Sequence, residues 1–208
     1  MLLGLLLSAC STDRGDREKE LASDFLCAAP EGSPAGDLLA GTLGPGPVET
    51  TVFALPARLV ERVEDDLRDK QPDEDALPTD VCLYQRRAGG EKRSARISYQ
   101  WVPSGGQKER ALENARDYLV NGLPARANEV AANVTFSCVM PGETRELSRG
   151  AKLVGWATFT GESFTDSGAA TDLRHVTLTY LMAQKAVKAL GCENEPLQGE
   201  PVVQPGKR

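Results

Sequence analysis

The chain has 208 residues, with 24 Lys and Arg against 30 Asp and Glu, one His and five Cys, for a formal charge of −6. That length suits one ordinary domain or two small ones, and 40% apolar residues are enough to bury a real core. A lone histidine excludes any site built on two imidazoles, and no run of eighteen apolar residues marks a membrane span.

Leu2, Leu3, Leu5, Leu6 and Leu7 form a short apolar run that ends in Leu7-Ser8-Ala9-Cys10. The run is too short to span a bilayer as a mature helix, and small residues before a cut point mark the end of a secretory signal. The tetrad resembles the lipobox of bacterial lipoproteins, a family in which the cysteine thiol is diacylated and the signal is cleaved just before it. The resemblance implies that residues 1–9 are a signal peptide, with its basic n-region cut short, and that Cys10 is the lipidated first residue of a membrane-anchored mature chain. Between Ser11 and Glu20 stand Asp13, Arg14, Asp16, Arg17, Glu18, Lys19 and Glu20 with almost nothing apolar, so residues 10–24 read as a flexible solvated tether. From Ser11 to Asp24 its root-mean-square reach is roughly 20 Å.

Export sets the reading of the other cysteines. Cys27, Cys82, Cys138 and Cys192 are four thiols in an oxidising setting, which predicts two disulfides. No pair has C-x-x-C spacing, which argues against a zinc knuckle or a redox pair. Three pairings are open. Cys27–Cys82 with Cys138–Cys192 closes loops of 55 and 54 residues, one in each half, and is the expected one. Cys27–Cys192 with Cys82–Cys138 is its rival.

Along the chain, Gly41 to Pro47 reads as a loop, and its prolines remove amide donors that a phosphate loop would need. Leu59, Val63 and Leu67 share one helical face after Pro56, and an acidic loop over 69–79 follows. Val81 to Arg86 pairs through the turn Ala88-Gly89-Gly90 with a second strand on which Ala95, Ile97, Tyr99 and Trp101 alternate with polar residues. Leu112, Ala115 and Leu119 predict a helix ending near Asn121-Gly122. Val134, Phe136, Cys138 and Met140 alternate again, and across Pro141-Gly142-Glu143 they predict a hairpin with Lys152 to Thr160. Leu173, Val176, Tyr180, Ala183, Val187 and Leu190 then mark a long helix, capped by Thr171 or Asp172, with Lys185 and Lys188 in its final turns and Gly191 closing it.

The pattern gives an α+β fold of antiparallel β-hairpins packed with helices and bonded by disulfides. A hairpin with Cys on its first strand and Trp on its second, followed by a helix, occurs twice, which suggests two related β-β-α units. The expected ectodomain is 25–197, with halves of about 25–122 and 123–197, followed by a loose tail over 198–208.

Little in the sequence announces chemistry. His175 is the sole candidate proton shuttle, with Ser163 or Ser167 and Asp166 or Asp172 as conceivable companions, yet no G-x-S-x-G elbow or Ser-x-x-Lys occurs. A solvent-facing or capping histidine is the expectation. Glu61, Glu64, Asp65, Asp66, Asp69, Asp73, Glu74 and Asp75 crowd one region and read as a solvated helix face and loop. No calcium loop is present, so neither a metal nor another cofactor is expected.

Arg86, Arg87, Lys92, Arg93 and Arg96 form a basic excess on the first hairpin, suited to an anionic lipid or wall polymer or to blocking edge-to-edge pairing. Net acidity and export make nucleic acid an improbable partner. With the lipobox-like tetrad, tether, four cysteines and final Leu-Gly-Cys, the layout resembles the small secreted lipoproteins of high-GC actinobacteria. That likeness implies an extracytoplasmic address and an α+β, disulfide-bonded ectodomain, and no activity. The expected function is a non-catalytic binding or interaction module at the cell envelope, engaging an envelope protein or a wall component. The alternative is an envelope hydrolase with an acidic site invisible in sequence.

Overall fold

The computed structural model describes residues 25–44, 46–70, 73–88, 91–105, 112–161 and 168–206. Among the described residues, four helices, α1 (Pro34–Leu43), α2 (Pro56–Asp69), α3 (Arg145–Arg149) and α4 (Ala169–Leu190), accompany one eight-stranded sheet. Its strands are β1 (Glu49–Val52), β2 (Thr79–Ala88), β3 (Glu91–Pro103), β4 (Arg116–Val120), β5 (Leu123–Ala127), β6 (Ala131–Phe136), β7 (Ala151–Thr160) and β8 (Val203–Pro205). They lie in the order β1-β2-β3-β7-β6-β5-β4-β8, and every neighbouring pair is antiparallel. The α+β reading therefore holds, with one sheet running across residue 122.

Alternation decides which side of the sheet carries the core. Ala95, Ile97, Tyr99 and Trp101 of β3 are buried together with Leu153, Ala157 and Phe159 of β7 and Ala132, Val134 and Phe136 of β6. These alternate positions form one face of the sheet, as a period of two requires. Helix α4 packs on this face against β4 to β7, and α1 and α2 also contact it. Five of its six periodic positions are buried, whereas Leu173 is 39% exposed. Closeness is limited at Gly155 of β7, where an added Cβ would stand 3.4 Å from Ala183 Cβ and 3.3 Å from Tyr99 Cε1.

Large aromatic residues can be buried here because their polar ends find carbonyl acceptors. Trp101 Nε1 donates to Val63 O of α2 at 3.0 Å, Tyr99 Oη to Met182 O of α4 at 2.8 Å, and Tyr84 Oη to Cys27 O at 2.9 Å. Each bond ties the sheet to a different covering segment. Burial raises the Tyr99 pKa far above the usual phenol value, so this donor keeps its proton.

Several local expectations change. The helix predicted from Leu112, Ala115 and Leu119 is instead β4, and the first hairpin leads into another, β4–β5, so the two halves are not β-β-α repeats. Asn121 and Gly122 form its two-residue turn, with φ of 49° and 81°. Positive φ at both central positions is the type I′ geometry that Asn-Gly favours. The 41–47 loop begins later than expected because α1 runs to Leu43. Strands β6 and β7 do pair, but the link between them holds a 3₁₀ turn (Gly142–Thr144) and α3 in place of a tight turn. The segment after Gln198, read as a loose tail, adds β8 to the edge of the sheet beside β4.

Both expected disulfides are present, Cys27–Cys82 with Cα atoms 5.6 Å apart and Cys138–Cys192 at 5.0 Å. These separations are ordinary for disulfides. The first joins the segment ahead of α1 to β2, and the second joins the stretch after β6 to the end of α4. Each closes a loop of about 55 residues, a constraint on the unfolded chain worth about 4 kcal/mol in the chain-entropy account. Replacing Cys138 and Cys192 together by Ala is expected to lower the unfolding free energy by about that amount in urea titration.

Candidate functional site

Three places bear on function: the start of the described chain, the basic hairpin, and a buried polar cluster at the base of α4. Cys10 and the rest of residues 1–24 lie outside the described residues.

At the start of the described chain, a groove of about 300 Å³ opens between the segment around α1 and the C-terminal half of α4. One wall is Phe25, Ala28, Pro30, Ser33, Pro34 and Ala35, and the other is Leu181, Gln184, Lys185 and Lys188. The helical wall follows from spacing, since positions three, four and seven beyond Leu181 share its face. Ser33 forms the opposite wall's corner by capping α1: its side chain accepts from Gly36 N at 3.1 Å, with Pro34 at the first helical position. Three ties hold the walls in place: the Cys27–Cys82 bridge, the Tyr84 bond to Cys27 O, and Lys185, whose ammonium donates to Ala28 O. Lys185 and Lys188 lie over the Phe25 ring with Nζ at 5.9 and 5.3 Å from its centroid, within cation–π range. Sequence reading took both lysines only as partners of the helix dipole.

The four basic hairpin residues whose side chains are described, Arg86, Lys92, Arg93 and Arg96, are not brought to one surface. Register places Arg86 opposite Arg93 and Arg87 opposite Lys92. Arg86 and Arg93 fall on the face shared with Tyr84 and Ala95, whereas Lys92 and Arg96 alternate to the other face. Arg86 Nη1 donates to Leu43 O at 2.5 Å, so this guanidinium closes the C-terminus of α1. A Cβ at Gly44 would stand 2.2 Å from Arg86 Nη1, so the missing side chain makes room for the arginine. Arg96 pairs with Asp80 at 2.5 Å and lies 5.7 Å from the Phe53 ring centroid. Lys92 is exposed, and the Arg87 side chain is outside what the structure describes.

His175 is buried, at 1% exposure, in place of the solvent-facing or capping position expected of it. Its ring stacks on Phe159 with centroids 3.7 Å apart, and Nδ1 lies 3.2 Å from Asn128 O. A carbonyl only accepts, so the proton of the neutral ring sits on Nδ1. Burial lowers the imidazole pKa from 6.5 to about 4. Ser163, Asp166 and Ser167 lie outside the described residues.

Asp172, one turn earlier in α4, is fully buried. Its Oδ2 accepts from Arg116 Nε at 2.6 Å and from Tyr118 Oη at 2.8 Å, both on β4. Burial foremost, then the bond to this carboxylate, raises the Tyr118 pKa, while the bond to Asp172 raises that of Arg116. The carboxylate also sits in the first turn of α4, where the helix dipole favours an anion. The arrangement fastens α4 to β4 and is not the helix cap expected of Asp172, because Gly168 starts the helix.

The acidic run on α2 faces outward as expected, with Arg58–Glu61, Arg68–Glu64 and Arg68–Asp65 pairs along it. Asp66 turns partly inward, toward Thr79. Its pKa is raised chiefly by burial, while the bond from Thr79 Oγ1 opposes the rise. Among the described residues, no group of three or more His, Cys, Asp or Glu is placed to hold a metal ion.

Two measurements check the buried cluster. Tyr118→Phe should cost about 2 kcal/mol of stability in urea titration, the scale for a hydrogen bond to a charged acceptor. The single imidazole should titrate near pH 4 by NMR. Between pH 6.5 and 4 the unfolded chain then takes up a proton that the folded one refuses. Acidification through that window therefore removes stability, by about 3 kcal/mol from this group when complete. Comparison with protein-family models, curated proteins and solved structures gives no match to this chain.

Proposed function

We propose that the chain is a lipid-anchored, extracytoplasmic binding module of the cell envelope, acting by contact with an envelope protein or wall component and not by catalysis. The observation that carries this reading is the pair of disulfides. Four of the five cysteines are consumed in two long-range bridges, the economy of a chain matured in an oxidising compartment. The fifth is Cys10, which ends the Leu-Ser-Ala-Cys tetrad. In this reading Cys10 carries the acyl groups, residues 11–24 are the tether, and the fold from Phe25 onward is the displayed module. Two or more acyl chains give a durable anchor where one does not.

The non-catalytic half of the reading draws on how the polar groups are used. The only imidazole is neutral, stacked on Phe159 and engaged with a backbone carbonyl. Asp172 is committed to Arg116 and Tyr118. Neither group lines the groove beside α1.

Metabolic labelling with radioactive palmitate in the native host tests the anchor. The wild-type chain should be labelled and recovered with membranes, and Cys10→Ala should be unlabelled and soluble. An unlabelled wild-type chain recovered from the soluble fraction with four free thiols would overturn the reading. Crosslinking of the anchored chain, followed by its capture, should return an envelope protein or wall fragment.

A further inference from the structure

From its contacts we infer that Asn121 is a site of spontaneous deamidation, and that its side-chain amide is the latch of the C-terminal segment that the reaction releases for good. The inference stands on the fold alone and is independent of whether Cys10 carries acyl groups.

The sequence supplies the chemistry. In an Asn-Gly pair the following backbone nitrogen reaches the side-chain amide easily, because glycine has no Cβ to crowd the approach. Both residues are exposed at the tip of the β4–β5 hairpin, and a Cβ at Gly122 would meet nothing within 4 Å. In the reaction a bond forms from Gly122 N to Asn121 Cγ, and the Cγ–Nδ2 bond breaks. Ammonia leaves with the proton of the Gly122 amide, and a five-membered succinimide remains. Water then opens the ring at one carbonyl or the other, which gives aspartate or isoaspartate.

The fold supplies the consequence. Asn121 Nδ2 lies 2.9 Å from Gln198 O, 3.0 Å from Glu200 O and 2.9 Å from Tyr180 Oη, while Oδ1 accepts from Val202 N at 2.7 Å. Asn121 N also donates to Val202 O at 3.1 Å. One residue thus binds three positions of the segment that leads into β8. Tyr180 and Gln184 of α4 bond the same segment at Gln198 O and at Leu197 O and Gly199 O. Val202 is 59% exposed, so polar bonds carry much of this docking.

Docking and reaction therefore exclude each other. Ring closure needs the side chain to turn back over Gly122 N, and its bonds to residues 198–202 hold it away. Chain ends open locally more often than the core, and each opening frees the amide. Once converted, the residue has lost its donors. A carboxylate only accepts, so it faces the carbonyl oxygens of Gln198 and Glu200 with nothing to give them. Isoaspartate also lengthens the backbone of a two-residue turn that sets the β4–β5 register. Loss of ammonia makes the opening one-way.

The test follows Asn121 in the full chain by peptide mapping that separates asparagine, aspartate and isoaspartate. On prolonged incubation at neutral pH the folded chain should convert there, several-fold more slowly than the same chain unfolded in urea. Gln184→Ala, which removes two bonds to the tail at a distance from the turn, should speed conversion in the folded chain several-fold, and so should Val202→Pro, which deletes the N–H that Oδ1 accepts. Thermal unfolding is the folding control for both.

Hydrogen exchange then reads the latch. In Asn121→Asp the amides of Val203 and Gln204 should exchange about tenfold faster, the scale of the hydrogen bonds lost, while those of β6 and β7 keep their protection. Asn121→Gly runs beside it, because Gly-Gly suits the same turn and drops only the side-chain bonds, and it should free β8 in the same way. The proposal is overturned if Asn121 stays intact in the folded wild type and in both loosened variants, or if folded and unfolded chains convert at one rate. Unchanged exchange in β8 of Asn121→Gly overturns it as well.

Discussion

The fold depends on one buried helix held very close to one sheet. Helix α4 lies across strands from β4 to β7, and its approach is set by Gly155, where no side chain intervenes between the β7 backbone and Ala183. Closeness has a cost in polar groups, because Thr171, Asp172, His175 and Thr179 are buried along with the apolar residues. The structure meets part of that cost locally, while Asp172 Oδ1 accepts no hydrogen bond among the described residues. Thr179 Oγ1 donates to His175 O, His175 bonds Asn128 O, and Asp172 receives two donors from β4. What looks from sequence like a shuttle and its acid is therefore the hydrogen-bonding needed to bury a 22-residue helix.

The disulfides act at the two ends of this arrangement. Cys138–Cys192 fixes the C-terminus of α4 to the end of β6, and Cys27–Cys82 fixes the first described segment to β2. The second bridge has a consequence for shape. The Phe25–Ser33 segment ahead of α1 buries Leu26 and Cys27 in the core, and the bridge, Tyr84 and Lys185 add to that packing in holding it against α4 as a wall. The groove is thus a product of oxidation as much as of hydrophobic packing.

Much of the architecture was legible where one period dominated. Residues 95–101 alternate apolar and polar and are a strand, 152–160 are the partner strand expected across the second turn, and the three-four spacing from Val176 to Leu190 is a helix closed by Gly191 with φ of 65°. The bridges were legible from the spacing of the cysteines together with the expectation of export. Reading failed where two signals competed over a short stretch. Leu112, Ala115 and Leu119 fit a helix, but Tyr118 and Val120 also alternate, and Asn121-Gly122 is the strongest two-residue hairpin signal there is. Helix α1 went unseen because Ala, Gly and Leu give it a weak pattern, although Ser33-Pro34 with Asp37 in the first turn is a start signal. The groove was illegible for a different reason: its walls are 146 or more residues apart in sequence, and only the fold places them together. The basic cluster shows the reverse. Arg86, Lys92, Arg93 and Arg96, close in sequence, are split by strand alternation between two faces, and Arg86 closes a helix.

The two borders of the sheet are both brief. Strand β1 has four residues, all exposed, and β8 has three and ends in Pro205, which has no amide hydrogen to offer a newcomer. Short borders and proline are among the means by which proteins discourage chains from adding themselves to a sheet. An eight-stranded array that stops this abruptly on each side can be crowded against many copies of itself without seeding fibrous growth.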